Sequence, residues 1–345
     1  MREKYIVTGA LGHLSQNIIQ QLKALKCDVW GLILPTQTAS DGDGVHYLHA
    51  DVTDRNSLRA FFDRVADEDT TVIHAAGCIS IASRVSAQLR RVNVEGTQNV
   101  IAQCEAHGVK RLIYVSSVHA LPELPQGQII REVNHFDPDA VRGGYAKTKA
   151  EASAAVLDAA HRGLDAVIVH PSGILGPGDS GSNHLIQLIR DYLRGALPAG
   201  VQGGYDFVDV RDVARGCILA AQRGARGACY ILSNRYYSIG ELFEYLRSQM
   251  GGARKICLPL WMAKAVLPAI ALHARCTGKR PLFTPYSLYT LNSNARFSHE
   301  KADRELGYRT RPMQETIADT VAFLLGQGIA PTRNRRLKKL ACSHP

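Results

Sequence analysis

Lys4-Tyr5-Ile6-Val7-Thr8-Gly9-Ala10-Leu11-Gly12-His13-Leu14-Ser15 is the stretch whose reading decides the fold. Its apolar run at 5–8 has the length and residue types of a short buried strand. Gly9 and Gly12 follow, and an amphipathic helical pattern then runs to about Lys26. Strand, glycine turn and helix make the first unit of a dinucleotide-binding fold. Gly9 permits the tight turn, and Gly12 lets backbone N–H groups approach a pyrophosphate at the helix N-terminus. A third glycine of that fingerprint would stand at Ser15, where a small serine still allows helix–strand packing. Taken alone, the segment reads equally as an ordinary strand-to-helix turn.

Working outward, short apolar runs at 5–8, 29–34, 46–49, 71–74, 112–115 and 166–170 alternate with helical patterns. That alternation predicts an α/β fold, a Rossmann-type doubly wound parallel sheet over 1–172. After Pro171 the pattern changes: 173–204 is glycine-rich, with one helix at about 183–194. Residues 206–210, the helix after Arg211 and 229–232 read as a return to the sheet. The segments 173–205 and 233–330, with a short strand at 255–258, form a smaller discontinuous C-terminal substrate lobe. It covers the sheet's carboxyl edge, where ligands of doubly wound folds bind. The greasy stretch 256–274 is interrupted by Pro259, Lys264 and Pro268. It reads as a packed helix or a wall for an apolar substrate, and no integral membrane span is expected. Residues 331–345 read as a disordered basic tail.

Gly143-Gly144-Tyr145-Ala146-Lys147-Thr148-Lys149 opens a further helical run to about Ala160. Positions i and i+4 share a helix face, so Tyr145 and Lys149 can work at one centre. An ammonium near a phenol favours the phenolate and yields a proton donor and acceptor usable near neutral pH. By itself the pair is also consistent with a solvated helix face.

Around these two motifs stand Asp51-Val52, His74-Ala75-Ala76-Gly77, Asn93-Val94-x-Gly96-Thr97 and Ser116-Ser117. His170-Pro171-Ser172-Gly173, Phe207-Val208-Asp209-Val210-Arg211-Asp212 and Lys301-Ala302-x-x-Glu305-Leu306-Gly307-Tyr308 come after them. In this order the set resembles the extended short-chain dehydrogenase/reductase superfamily, of the NAD-dependent epimerase/dehydratase type. The resemblance implies an enzyme. In it Tyr145 exchanges a proton with the substrate oxygen, and Lys149 keeps the phenol acidic and hydrogen-bonds the nicotinamide ribose. Ser117 hydrogen-bonds the substrate carbonyl or hydroxyl, while Ser116 is expected to stabilise the turn. The cofactor carries the hydride, and the protein supplies orientation and proton transfer.

The resemblance further implies cofactor contacts by Thr8, Gly9, Leu11, Gly12, His13, Leu14, Asp51, Val52, Ala75, Ala76, Gly77, Asn93, Tyr145, Lys149, Pro171 and Ser172. Asp51 would meet the adenine amino group; its alternative is a helix N-cap, which Thr53 or Asp54 could serve better. Pro171 and Ser172 should flank the nicotinamide, and Asn93 should brace the floor of the site. His74 and His170, at strand ends, read as buried hydrogen-bonded residues. No His/Asp/Glu spacing suggests a metal.

An NAD preference calls for an acid at the end of the second strand. That region reads Gly31-Leu32-Ile33-Leu34-Pro35-Thr36, with neither an acid nor an arginine for a 2′-phosphate. The cofactor is read as NAD or NADP, with a slight lean to NADP. Sugar-nucleotide epimerases usually carry an arginine before the Phe-Val-x-Val segment, but Gly203-Gly204-Tyr205-Asp206-Phe207 has none. Thr277-Gly278-Lys279-Arg280-Pro281 and Thr284-Pro285-Tyr286 resemble the 3β-hydroxysteroid dehydrogenase and dihydroflavonol reductase branch. The expected substrate is therefore a small hydrophobic carbonyl compound or alcohol, steroid-like or flavonoid-like. A sugar-nucleotide epimerase or dehydratase is the alternative. A non-catalytic cofactor-binding regulator is a second, disfavoured by the intact Tyr/Lys pair.

Hydrophobic content of 46% allows a substantial core. Net charge is +10, with part of it in the tail 331–345, yet no recognition motif accompanies it, so nucleic acid is not expected as a partner. Eight cysteines without C-x-x-C spacing read as buried thiols of a reducing, cytoplasmic compartment. Met1-Arg2-Glu3-Lys4 leads straight into the first strand with no visible signal peptide. A homodimer is left open.

Overall fold

The computed structural model describes residues 2–42, 44–80, 82–179, 184–197, 199–251, 253–265, 267 and 285–329. Its strands are β1 (Lys4–Thr8), β2 (Asp28–Ile33), β3 (Val45–His49), β4 (Thr70–His74), β5 (Arg111–Val115), β6 (Ala166–Pro171), β7 (Gly173–Leu175), β8 (Gly200–Val201), β9 (Gly204–Asp209), β10 (Cys229–Leu232), β11 (Arg235–Ser238) and β12 (Cys257–Leu258). The helices used below are α1 (His13–Ala24), α2 (Arg55–Val65), α3 (Ala87–Arg90), α4 (Gly96–Ala106), α5 (Gly144–Arg162), α6 (His184–Leu193), α7 (Val210–Arg223) and α8 (Ile239–Met250).

A seven-stranded sheet runs in the order β10-β6-β5-β4-β1-β2-β3, with every pairing parallel. Strand order reverses at β1, whose neighbours are β2 and β4. The crevice beyond the carboxyl ends of β1 and β4 is thus the ligand position of a doubly wound sheet. Side chains alternate across the pleat. Ile6, Val72, Leu112, Tyr114 and Ile168 join one core cluster with residues of α2, α4 and α5. Tyr5, Val7, Ile73, Ile113 and Val167 join the opposite one with residues of α1 and α7. Both faces are covered, which explains why these strands read as continuous apolar runs.

Helix starts follow local chemistry. Asp54 caps α2, accepting from the N–H groups of Asn56 and Ser57, and Ser238 with Glu241 forms a reciprocal capping box at α8. In contrast, α1 begins at Gly12 with no side-chain cap and no acid in its first turn.

Two expectations are revised. Residues 206–209 do not return to the main sheet; β9 is the centre of a separate sheet ordered β11-β9-β7, and only α7 and β10 return. Gly173 explains the pairing, because a Cβ there would lie 2.8 Å from Phe207 Cδ1 and 2.9 Å from the Asp206 carbonyl. Only glycine lets the two strands approach so closely. The strand expected at 255–258 shortens to β12, paired with β8. The helix expected at 183–194 is α6. Residues 266 and 268–274 of the greasy stretch, the motif at 277–281, Thr284 and the tail 331–345 lie outside the described residues. No described helix is long and apolar enough to cross a membrane.

Candidate active site

The site residues expected from the sequence follow the carboxyl ends of the strands. Gly9 to Leu14 come after β1, Asp51 and Val52 after β3, Ala75 to Gly77 after β4, Ser117 after β5 and Ser172 after β6. Gly9 takes φ +63°, and a Cβ on it would sit 2.9 Å from Ala76 Cα. The turn therefore needs glycine both for its conformation and for the approach of the β4 loop. Thr8 contributes from inside: its Oγ1 accepts from the Ala76 N–H at 3.0 Å and bonds His74 Nδ1 at 2.7 Å. That hydroxyl is thus engaged within the protein. His13 Nε2 lies 3.0 Å from the Pro177 carbonyl, tying α1 to the segment after β7.

Asn93 sits in a π-helical turn, Arg91–Glu95, between α3 and α4. Its Oδ1 accepts from the Cys78 N–H (2.8 Å), and its Nδ2 donates to the Cys78 carbonyl (2.9 Å) and to Thr148 Oγ1 (3.1 Å). One side chain thereby clamps the loop after β4 to the start of α5. Such π-turns are frequent at functional positions.

Helix α5 brings up Tyr145 and Lys149. Lys149 is buried, donating to the Val115 carbonyl at 2.7 Å and to the Tyr114 hydroxyl at 3.3 Å, with Nζ 4.8 Å from the Tyr114 ring centre. A Cβ on Gly77 would stand 3.6 Å from Lys149 Nζ, so the loop after β4 passes directly over the amine. Burial pushes the amine down to about 7. Burial likewise raises Tyr145 to about 12, against an opposing interaction with the Ser117 hydroxyl. This differs from the expectation that Lys149 keeps the phenol acidic: in the cofactor-free chain, loss of water outweighs any help from the lysine. At neutral pH the phenol is protonated.

The two serines have different partners, and Ser116 is held by α5 where a turn-stabilising role was expected. Ser116 Oγ is buried 2.7 Å from Ser153 Oγ. Ser117 Oγ faces Tyr145 and also accepts from the His119 N–H at 3.2 Å, capping the short 3₁₀ turn Val118–Ala120. Asp54, as noted, caps α2, which leaves Asp51 clear of that task. Asp51 accepts from the Thr53 N–H at 2.8 Å and stands apart from the proton-transfer residues. Val52 packs against Gly96, where a Cβ would come within 2.8 Å of Val52 Cγ2. At the end of β2, Gln37 Oε1 accepts from the Leu34 N–H and closes an exposed turn. Pro171 is the last residue of β6, and Ser172 Oγ donates to Asp206 Oδ1 at 2.6 Å. His74 is buried and bonded through both ring nitrogens. His170 is bonded through Nδ1 to the Ser117 carbonyl at 3.0 Å, while its buried Nε2 lacks a partner. Burial lowers both, to about 3 and about 4.

The sequence profile of the NAD dependent epimerase/dehydratase family matches residues 5–240. The chain belongs to this family. It is an NAD(P)-dependent enzyme of the extended short-chain dehydrogenase/reductase type. Sterol demethylase protein B of Methylococcus capsulatus is 32% identical over 331 residues, covering 94% of this chain and 99% of that protein. 3beta-hydroxysteroid-dehydrogenase/decarboxylase isoform 1 of Arabidopsis thaliana is 30% identical over 302 residues, covering 80% of this chain and 66% of its own. Among solved structures, gox2253 superposes with a TM-score of 0.79 at 28% identity, covering 95% of this chain and all of that one.

This family member also has residues that sequence reading did not single out. Beyond Ser117 lies a cleft whose walls include His119, Glu123, Arg142, Tyr205, Tyr286, Tyr289 and Phe297. Tyr286 packs flat on Gly143, where a Cβ would fall 2.4 Å from its ring. Tyr114, beneath Lys149, was legible only as a strand residue. Its neighbour in space is 35 positions away in sequence, and no local pattern reports that. The Gly143-Gly144 pair was the one available hint of close packing at the cleft.

Proposed function

We propose that this family member interconverts a hydroxyl and a ketone on a hydrophobic, steroid-like or flavonoid-like substrate, with Tyr145 as general acid/base. The observation that carries this reading is the meeting of Ser117, Tyr145 and Lys149 at the sheet's carboxyl edge, beside an aromatic-walled cleft. A protonated Tyr145 is the donor that a ketone oxygen needs as it gains charge. Ser117 shares that oxygen, its own lone pair already directed by the His119 N–H. Lys149, with its amine near neutrality, lies one turn along the same face and can pass a proton towards the phenol.

The uncapped start of α1, with free N–H groups and no acid, suits a pyrophosphate, and the crowded Gly9 turn suits close approach. Thr8, Gly9, Leu11 to Leu14, Asp51, Val52, Ala75 to Gly77, Asn93, Tyr145, Lys149, Pro171 and Ser172 would hold a nicotinamide dinucleotide there. When bound, that cofactor supplies or accepts the hydride. The end of β2 offers no acid to the ribose hydroxyls, which supports the lean to NADP. Domain limits at about 172 and the lobe of 173–205 and 233–330 belong to the same reading.

The apolar substrate is supported by the two sterol-related relatives and by the aromatic walls of the cleft, Tyr205, Tyr286, Tyr289 and Phe297. The test is a turnover screen of purified protein with NADPH and NADH against steroid ketones, flavonoid ketones and UDP-glucose, following nicotinamide absorbance, with a parallel thermal-shift series. Turnover of a steroid or flavonoid ketone is expected. Stabilisation by UDP-glucose, with no response to any apolar ketone, would overturn the reading in favour of a sugar-nucleotide enzyme.

A further inference from the structure

Between Tyr145 and the cleft stands a histidine with no task in the proton transfer. His119 presents its ring edge-on to Tyr145, with centroids 6.1 Å apart and planes at 76°. On its other side Tyr205 of β9 stacks at 5.5 Å and 18°, its hydroxyl 3.3 Å from His119 Nε2. Both residues line the cleft. Burial pushes the imidazole down to about 4 and holds the Tyr205 phenol well above its ordinary value. At neutral pH a protonated phenol therefore faces a neutral ring, and one hydrogen bond joins the Tyr205 hydroxyl to Nε2, its direction set by the ring tautomer. The hydrogen bond locks the imidazole plane, and that plane is braced on Tyr145. Phe297 extends the wall, edge-on to Tyr205 at 6.0 Å.

We propose that His119 and Tyr205 act as one positioning unit that selects a flat, uncharged, ring-built substrate and holds its carbonyl-bearing ring against Tyr145. The inference rests on the ketone/alcohol reading above and adds the residues that would select and orient the substrate's ring system. Aromatic faces favour flat rings by stacking. A neutral imidazole gives no charge to a phosphate, and on the same cleft Glu123 offsets the charge of Arg142. A flexible acyclic ketone would gain little from a rigid planar wall, because it loses rotamer freedom on binding.

The experiment compares androstanedione with 2-undecanone, using NADPH for turnover and calorimetry on the NADP⁺ complex for binding. Tyr205→Phe is expected to raise KM for androstanedione about two- to tenfold, the range of one lost hydrogen bond, with kcat nearly unchanged. His119→Ala is expected to raise it by about tenfold or more, since stacking area is lost as well. His119→Phe, which restores a ring without its nitrogens, should match Tyr205→Phe. KM for 2-undecanone should stay within about twofold throughout, as no oriented contact is removed. Equal changes for the two ketones, or a fall in kcat with KM unchanged, overturn the proposal. Tyr205→Phe removes a single oxygen, so the comparison survives if His119→Ala folds poorly. Turnover without ring selectivity sinks this inference alone. Ring-selective binding lost in the variants, but without turnover by the native protein, supports it and sinks the ketone/alcohol assignment instead. Failure of androstanedione to bind the native NADP⁺ complex overturns it.

Discussion

Replacing Lys149 with methionine removes a buried ammonium while keeping most of its volume. Lys149 is 5% exposed, and burial lowers its amine from 10.5 to about 7. Between those values the unfolded chain holds a proton that the folded chain has released. Unfolding then takes up a proton, so folded-state stability increases as pH rises. The slope is about 1.4 kcal/mol per pH unit. Relative to the variant, the native protein should gain about 4–5 kcal/mol between pH 7 and 10.5. Below pH 7 both states are protonated, and the comparison is flat at its least favourable for the native chain. The variant also strands the Val115 carbonyl, an offset of about 1–3 kcal/mol that does not vary with pH. Urea unfolding of both cofactor-free proteins at each unit from pH 6 to 10, followed by circular dichroism, gives the difference directly. Tyrosines and cysteines that titrate at high pH are common to both proteins and cancel. A difference that stays constant across the series would refute the argument, because the amine would then have an ordinary affinity for its proton.

Tyr145→Phe should reduce kcat on an accepted ketone by more than about a hundredfold while cofactor affinity is retained, since general acid–base transfer contributes roughly 10²–10⁴. Near-native turnover would remove Tyr145 from the chemistry. Gly12→Val should fold, because the nearest atom to a Cβ there is the Gly9 carbonyl oxygen at 3.2 Å. It should nevertheless weaken dinucleotide binding at least about tenfold by placing a branched side chain in the pyrophosphate's path. Unchanged calorimetric affinity in a folded variant would move the cofactor away from this turn.

The main sheet was legible because its strands are short, apolar and separated by helices of ordinary length. Every one of its first six strands lies within a residue of where the pattern put it. What the pattern could not carry was partner choice. β9 and β10 look alike as apolar runs, and only the close approach at Gly173 directs β9 to a different sheet. At the site, position in the motif distinguished Ser116 from Ser117 but did not report that Ser116 bonds Ser153 of α5. The electrostatic expectation for Tyr145 was not, because it weighed a neighbouring charge and left out the loss of water around both groups. His119 and Tyr205 were missed for a third reason. They are 86 residues apart, and each is unremarkable until the other's ring is beside it.

The alternation along β9 has a consequence for substitution. Tyr205 and Phe207 point into one core cluster, and Tyr205 also lines the cleft, whereas Val208 joins the cluster on the other side of the main sheet. Asp206, between them, accepts from Ser172 Oγ and from the Asn234 N–H, at the ends of two main-sheet strands. A single strand thus carries two independent sets of instructions, interleaved at every second position. Exchanging Tyr205 rewrites the wall that meets the substrate and leaves the tie at Asp206 in place. If Tyr205 meets the substrate as proposed, a single substitution there changes the cleft wall without loosening the ties of Asp206 to the ends of β6 and β10.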